Sequence, residues 1–160
     1  MNVTINTDAS FKKLKGKKYS GYAFYIICDA FKIKRYGNFK ITPETPQQSE
    51  LMCLGNALKS LLVTSKSKNL KFRYLTINTD CKSIIQGVTS TKDDYEINTN
   101  YINYDIVREL YHLIPAKYKN FKHVKAHDGV ETHRKWVNNW CDKHSKIARI
   151  NQENEYTRKS

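Results

Sequence analysis

Four acidic side chains, Asp8, Glu50, Asp80 and Asp142, sit where a fold could make them converge. Packing carboxylates together costs electrostatic free energy unless they share protons or hold cations. Hard oxygen ligands without a closed Cys or His set favour Mg²⁺, with Mn²⁺ as the alternative. Two such ions about 3.5 to 4 Å apart can clamp a phosphodiester, one activating water and the other stabilising the leaving oxygen. Each acid also has an ordinary reading. Asp8 and Asp80 could be turn or cap residues, Glu50 solvated helix surface, and Asp142 half of an exposed ion pair with Lys146. The conjunction carries more weight than any member.

The elements that must position these acids follow from local pattern. Val3-Thr4-Ile5 alternates and ends in Asn6-Thr7-Asp8, which predicts a strand finishing at a carboxylate. After a basic turn, residues 21–27 and 31–36 read as two more strands, an antiparallel three-stranded start. Thr45-Pro46-Gln47-Gln48 combines an N-cap, a first-turn proline and a capping-box glutamine. In the helix that follows, Leu51, Leu54, Leu58, Leu61 and Leu62 form the buried stripe, and Glu50 lies on its shoulder. Residues 64–70 read as a polar connection and Phe72–Ile77 as a strand ending in Asn78-Thr79-Asp80. Strand, helix, strand makes a crossover unit with parallel strands, so Asp8 and Asp80 share a carboxyl end. A short helix from Lys82 to Val88, a helix from Tyr104 to Ile114, a strand from Phe121 to Ala126 and a helix from Arg134 to Ile150 complete the chain. The repeated Ile-Asn-Thr-Asp is too short to argue duplication. Trp136 and Trp140, four apart, read as core.

Size and charge narrow the class. The 160 residues fit one domain, taken as 1–150 with a fraying tail over 151–160. Aromatic residues make up 12% of the chain, too many for a disordered one, so a core is expected. No apolar run suits a membrane span and no signal-peptide order opens the chain, so the expectation is a cytoplasmic protein without membrane contact. Cys28, Cys53, Cys81 and Cys141 are too scattered for a zinc knuckle or a disulfide framework. The net charge of +13 makes nucleic acid the first partner to test. The lysines cluster at 12–18 and 117–125, with acidic Asp93-Asp94-Tyr95-Glu96 between them.

Short motifs in order then carry a resemblance. Thr7-Asp8-Ala9-Ser10, Thr45-Pro46-Gln47-Gln48-Ser49-Glu50-Leu51, Thr79-Asp80-Cys81, Ala126-His127-Asp128-Gly129 and Asn138-Asn139-Trp140-Cys141-Asp142 resemble the motifs of type 1 ribonuclease H. The resemblance spans nearly the whole chain. It implies an α/β fold, a five-stranded mixed sheet of order 3-2-1-4-5 flanked by helices. It implies that Asp8 bridges two ions, Glu50 and Asp80 hold one, and Asp142 completes the other. His127 would move protons or assist product release. The implied reaction is hydrolysis of the RNA strand of an RNA–DNA hybrid, leaving 5′-phosphate and 3′-hydroxyl ends. The 2′-hydroxyl would direct strand choice. Gln47 resembles a minor-groove contact, Ser10 lies near the RNA backbone in this reading, and Thr45 with Asn103 resembles a DNA-phosphate pocket. The implied protein is a monomer with no small-molecule cofactor.

Two departures stand out. The interval from His127 to Asp142 is longer than the family pattern, which makes His133 the alternative loop histidine. The segment between Asp80 and Asn103 lacks a Lys- and Trp-rich protrusion, and Lys12 to Lys18 could grip substrate instead. The competing readings are a DNA nuclease of the same superfold, either a resolvase or an exonuclease, and a non-catalytic hybrid-binding module.

Overall fold

The computed structural model describes residues 1–89, 104–124 and 133–159. Strands β1 (Asn2–Leu14), β2 (Lys17–Cys28), β3 (Lys32–Gly37), β4 (Phe72–Thr79) and β5 (Ala116–His123) form one sheet in the order β3-β2-β1-β4-β5. The first three strands are antiparallel, and β4 and β5 run parallel to β1. The helices among the described residues are α1 (Pro46–Lys68), α2 (Lys82–Thr89), α3 (Tyr104–Leu113) and α4 (His133–Lys159). The sheet order and strand directions match the expectation. None of these helices is long and apolar enough to cross a membrane.

β1 does not end at Asp8. Its ladder with β2 runs to the pair Leu14↔Lys17, closed by Lys15 at φ 49° and Gly16 at φ 79°. Positive φ at both central residues is the geometry of a type I′ hairpin turn, whose twist suits the flanking strands. Lys12, Lys13, Lys17 and Lys18 therefore belong to strands, and the basic turn shrinks to two residues. What ends near Asp8 is the parallel ladder with β4, whose last pair is Asn6↔Asn78. Asp8 stands mid-strand at the point where β4 leaves β1.

Alternation sorts the side chains between two layers. Val3, Ile5, Phe24 and Ile26 join Leu51, Leu54, Leu58 and Leu61 of α1 in the main core, which α2 and α3 extend with Ile84 and Val107. Ala23 and Tyr25 point the other way and meet Val137 and Cys141 of α4. At Gly21 the backbone of α4 comes so close that a Cβ would strike Ser145 O and Arg149 N.

α1 starts as the motif predicts. Thr45 Oγ1 accepts from Gln48 N at 3.1 Å, and Gln48 Oε1 accepts from Glu44 N at 2.7 Å. The helix runs through most of the expected polar connection over 64–70 and is capped at Asn69, which adopts a left-handed conformation at φ 51°. α4 likewise continues to Lys159 instead of fraying at 150. Gln152 Oε1 accepts from Ser20 N at 2.9 Å, and Lys17 sits 3.6 Å over the Tyr156 ring, so contacts to β2 hold a stretch without an apolar stripe. β5 begins at Ala116, five residues before the alternating apolar pattern suggests, because it pairs with β4 from Phe72 onward.

Candidate active site

The repeated tetrapeptide explains how two of the acids come together. Ile5 pairs with Ile77 and Asn6 with Asn78, so the two copies lie side by side in register. Asn78 Nδ2 donates to Asn6 Oδ1 at 2.9 Å, and both side chains are buried. A buried amide left without a partner costs about 1 to 3 kcal/mol, so this bond resists slippage of the strands. Two residues further on come Asp8, still within β1, and Asp80, just past the end of β4.

Asp8, Glu50 and Asp80 each present a carboxylate oxygen, and the three oxygens lie within 4.8 Å of one another. Glu50 reaches them from the start of α1. The Ala9 N–H, on the β1 edge that β4 has left, donates to Asp8 Oδ1 at 2.9 Å and to Glu50 Oε1 at 3.1 Å. One amide thus holds two carboxylates together. Burial pushes the Asp8 carboxyl up to about 8, with the charges of Asp80 and Asp142 adding to the rise and the Ala9 amide opposing it. Burial, then Asp8 and Asp80, hold Glu50 well above the usual carboxylate range. Burial also raises Asp80, against the pull of its own backbone amide and His123. Among the described residues, no lysine or arginine forms an ion pair with any of the three.

This donor set fits a hard divalent cation. Glu50 Oε2 is buried without a hydrogen-bond partner among the described residues, an orphaned acceptor turned away from water. A metal ion would satisfy it and relieve the crowding of like charges. Two buried thiols back the site. Cys53 donates to Asp8 O and Ala23 O, each at 3.4 Å, and Cys141 donates to Asn6 O at 3.7 Å. Burial, and after it the nearby acids, push both thiols up, which suits them to packing rather than to reaction.

Asp142 behaves differently. It lies outside the triad, its side chain is 41% exposed, and its Oδ2 accepts from Lys146 at 3.1 Å. It still stands close enough for its charge to raise Asp8 and Asp80. Both sequence readings of Asp142 therefore have a physical counterpart, an ion pair on the helix and a fourth charge facing the cluster.

The expected substrate contacts divide. Ser10 is half-buried on β1, two residues beyond Asp8, and Thr45 and Gln47 are exposed at the start of α1, near Glu50. Thr45 already spends an acceptor position on capping the helix. Asn103 and His127 lie outside the described residues, as does the side chain of His133. His123 escaped the motif reading. It pairs with Thr79 across β4–β5, and its Nε2 donates to Asp80 O at 3.0 Å. Only the register of β5 reveals it.

The sequence model of the RNase H family matches residues 1–150. The chain belongs to the RNase H family. The resemblance carried by the strand-end and helix-start motifs is borne out at that level. No curated protein matches the sequence. Among solved structures, RNase H1 of the halophilic archaeon Halobacterium salinarum shares 16% identity at a TM-score of 0.58, over 92% of this chain and 97% of that one. The N-terminal RNase H domain of a Mycobacterium tuberculosis protein gives 14% and 0.60, over 93% and 99%. LC11-RNase H1, isolated from compost and solved with an RNA/DNA hybrid, gives 16% and 0.62, over 94% and 98%. At such identities the neighbours establish the fold, which this RNase H family chain shares over nearly its whole length.

Proposed function

We propose that the chain is a metal-dependent endonuclease that hydrolyses the RNA strand of RNA–DNA hybrids and leaves 5′-phosphate and 3′-hydroxyl ends. The observation that carries this reading is the Asp8, Glu50 and Asp80 triad, its oxygens within 4.8 Å of one another, on an RNase H family chain. Two divalent ions, Mg²⁺ or Mn²⁺, would supply Lewis acidity at the attacking water and the leaving 3′ oxygen. The protein's part is positional. Asp8 occupies the centre, the Ala9 amide fixes Asp8 against Glu50, and the α1 cap sets the turn that delivers Glu50. Asp142 is the fourth ligand in this reading, exchanging Lys146 for an ion.

Substrate choice follows from the same surface. The charge of +13 attracts a polyanion, and a structural neighbour was solved with an RNA/DNA hybrid. Gln47 would contact the minor groove, where the 2′-hydroxyl marks the RNA strand, and Ser10 would lie near the RNA backbone. Thr45 and Asn103 would hold a DNA phosphate, and His127 would move protons or assist product release. The deciding experiment is cleavage of a strand-labelled hybrid with and without chelator, with Asp80→Asn alongside. The expected result is RNA-strand cutting that requires the ion and is lost in Asp80→Asn, while hybrid binding remains. Faster cutting of four-way junctions or single-stranded DNA would favour the DNA-nuclease reading. No cutting by the parent chain would favour the binding module.

A further inference from the structure

A second cluster lies on the flank of α4 that faces β3. Trp140 and His144, one turn apart, stack with ring centres 4.2 Å apart. Tyr36 of β3 meets His144 at 4.9 Å and Trp140 edge-on at 6.2 Å. Tyr25 of β2 meets Trp136 and Trp140 edge-on at 6.3 and 5.7 Å. The ammonium of Lys34 lies 5.1, 5.8 and 6.0 Å from the ring centres of Tyr25, Trp136 and Trp140. The helical pattern places both tryptophans in the core, yet Trp136 and Tyr36 are each 51% exposed. Large aromatic surface left in water beside a cation is a feature of binding sites.

The border of the cluster is cationic. Strand alternation puts Lys32 on the face of Lys34 and Tyr36, and helical spacing puts Lys143 on the flank of Trp136 and Trp140. None of these residues is acidic. Asp142 leaves the helix about 200° around from Trp140, so the cluster and the carboxylate triad occupy different flanks. Lysine is depleted from the cores of protein interfaces, and here one sits amid three rings, which argues against a protein partner. Rings for bases and ammonium groups for phosphates are what a single strand requires.

We propose that this face of β3 and α4 binds single-stranded nucleic acid, with bases stacked on Tyr36 and Trp136 and phosphates neutralised by Lys32, Lys34 and Lys143. The proposal is independent of the hydrolytic reading, because binding here needs no metal.

The chain's two tryptophans both belong to the cluster, so tryptophan emission, excited selectively over the eleven tyrosines, reports on this surface. The full chain, in chelator, is titrated with an oligothymidine of about 12 nucleotides, within the usual span of such sites. Saturable quenching is expected, and Tyr36→Ala, which keeps both tryptophans, weakens binding about tenfold. Lys34→Gln weakens it too and flattens its salt dependence. Tyr118→Ala, at an exposed tyrosine stacked on Tyr74 away from this face, changes nothing. If melting curves show Tyr36→Ala unfolded, Trp136→Ala with Trp140 as reporter carries the same expectation. The proposal is overturned by absent quenching, by equal quenching from heparin, which has no bases, or by an equal loss in Tyr118→Ala.

Discussion

The two clusters of this molecule invert each other. Where β4 leaves β1, three carboxylates crowd within 4.8 Å, and no ion-paired lysine or arginine accompanies them among the described residues. On the far flank of α4, rings and lysines gather, and the described residues of that cluster include no acid. In a chain of net charge +13, neutralising the triad from within would have been simple. Keeping the cations elsewhere leaves a site whose side chains repel one another once ionised, which suits it to an external cation. Asp142 is the intermediate case, an acid within field range of the triad that still keeps a lysine.

Removing the central charge should break the contrast most severely. Asp8→Asn is expected to slow hybrid cleavage by at least about 10³-fold, measured as initial rates on a strand-labelled substrate in saturating Mg²⁺. Its metal-free melting temperature should not fall, since the variant relieves like-charge crowding. A rate within tenfold of the parent would end the triad's claim to the chemistry.

The next effect is one of pH. Asp8 rises from 3.8 to about 8 in the fold, so between those values the native state binds more protons than the unfolded chain. This group's contribution to metal-free stability is therefore greatest at low pH and declines as pH climbs from about 4 to 8. In chelator, the melting temperature of the parent minus that of Asp8→Asn should drop across that window, and Mg²⁺ should restore it at the alkaline end. A difference that stays flat with pH would show that Asp8 is not held protonated.

Smaller changes sharpen the picture. Thr45→Ala removes the α1 cap and should cost about 1 kcal/mol, lowering the melting temperature by about 2 to 4 °C. Lys146→Ala frees Asp142 and should change the rate at limiting Mg²⁺ by roughly two- to fivefold, the scale of an exposed ion pair. No change in the Mg²⁺ dependence would assign Asp142 to the helix surface alone.

Asp8, Glu50 and Asp80 were legible because each follows a local signal, Asn-Thr before the two aspartates and a Thr-Pro-Gln cap before Glu50, although β1 runs on past Asp8. The sheet order came through the resemblance. The length of β1 did not, since Lys12 to Lys18 looks like solvated turn and becomes strand only by pairing with β2. α4 beyond Ile150 was hidden for a similar reason. Gln152 and Tyr156 find partners on β2, a contact that no apolar period announces. His123 next to Asp80 needed the β4–β5 register, which the later start assigned to β5 obscured.

The Asn6–Asn78 bond makes the interval between the two strand-borne acids countable in whole peptide units. An alanine inserted between Asn6 and Asp8 would advance that carboxylate by about 3.3 Å and turn it to the opposite side of the sheet. Sliding the strands to compensate would strand a buried amide. Small deletions or insertions at this spot therefore have no mild form, whereas the loops on either side can lengthen without disturbing the spacing.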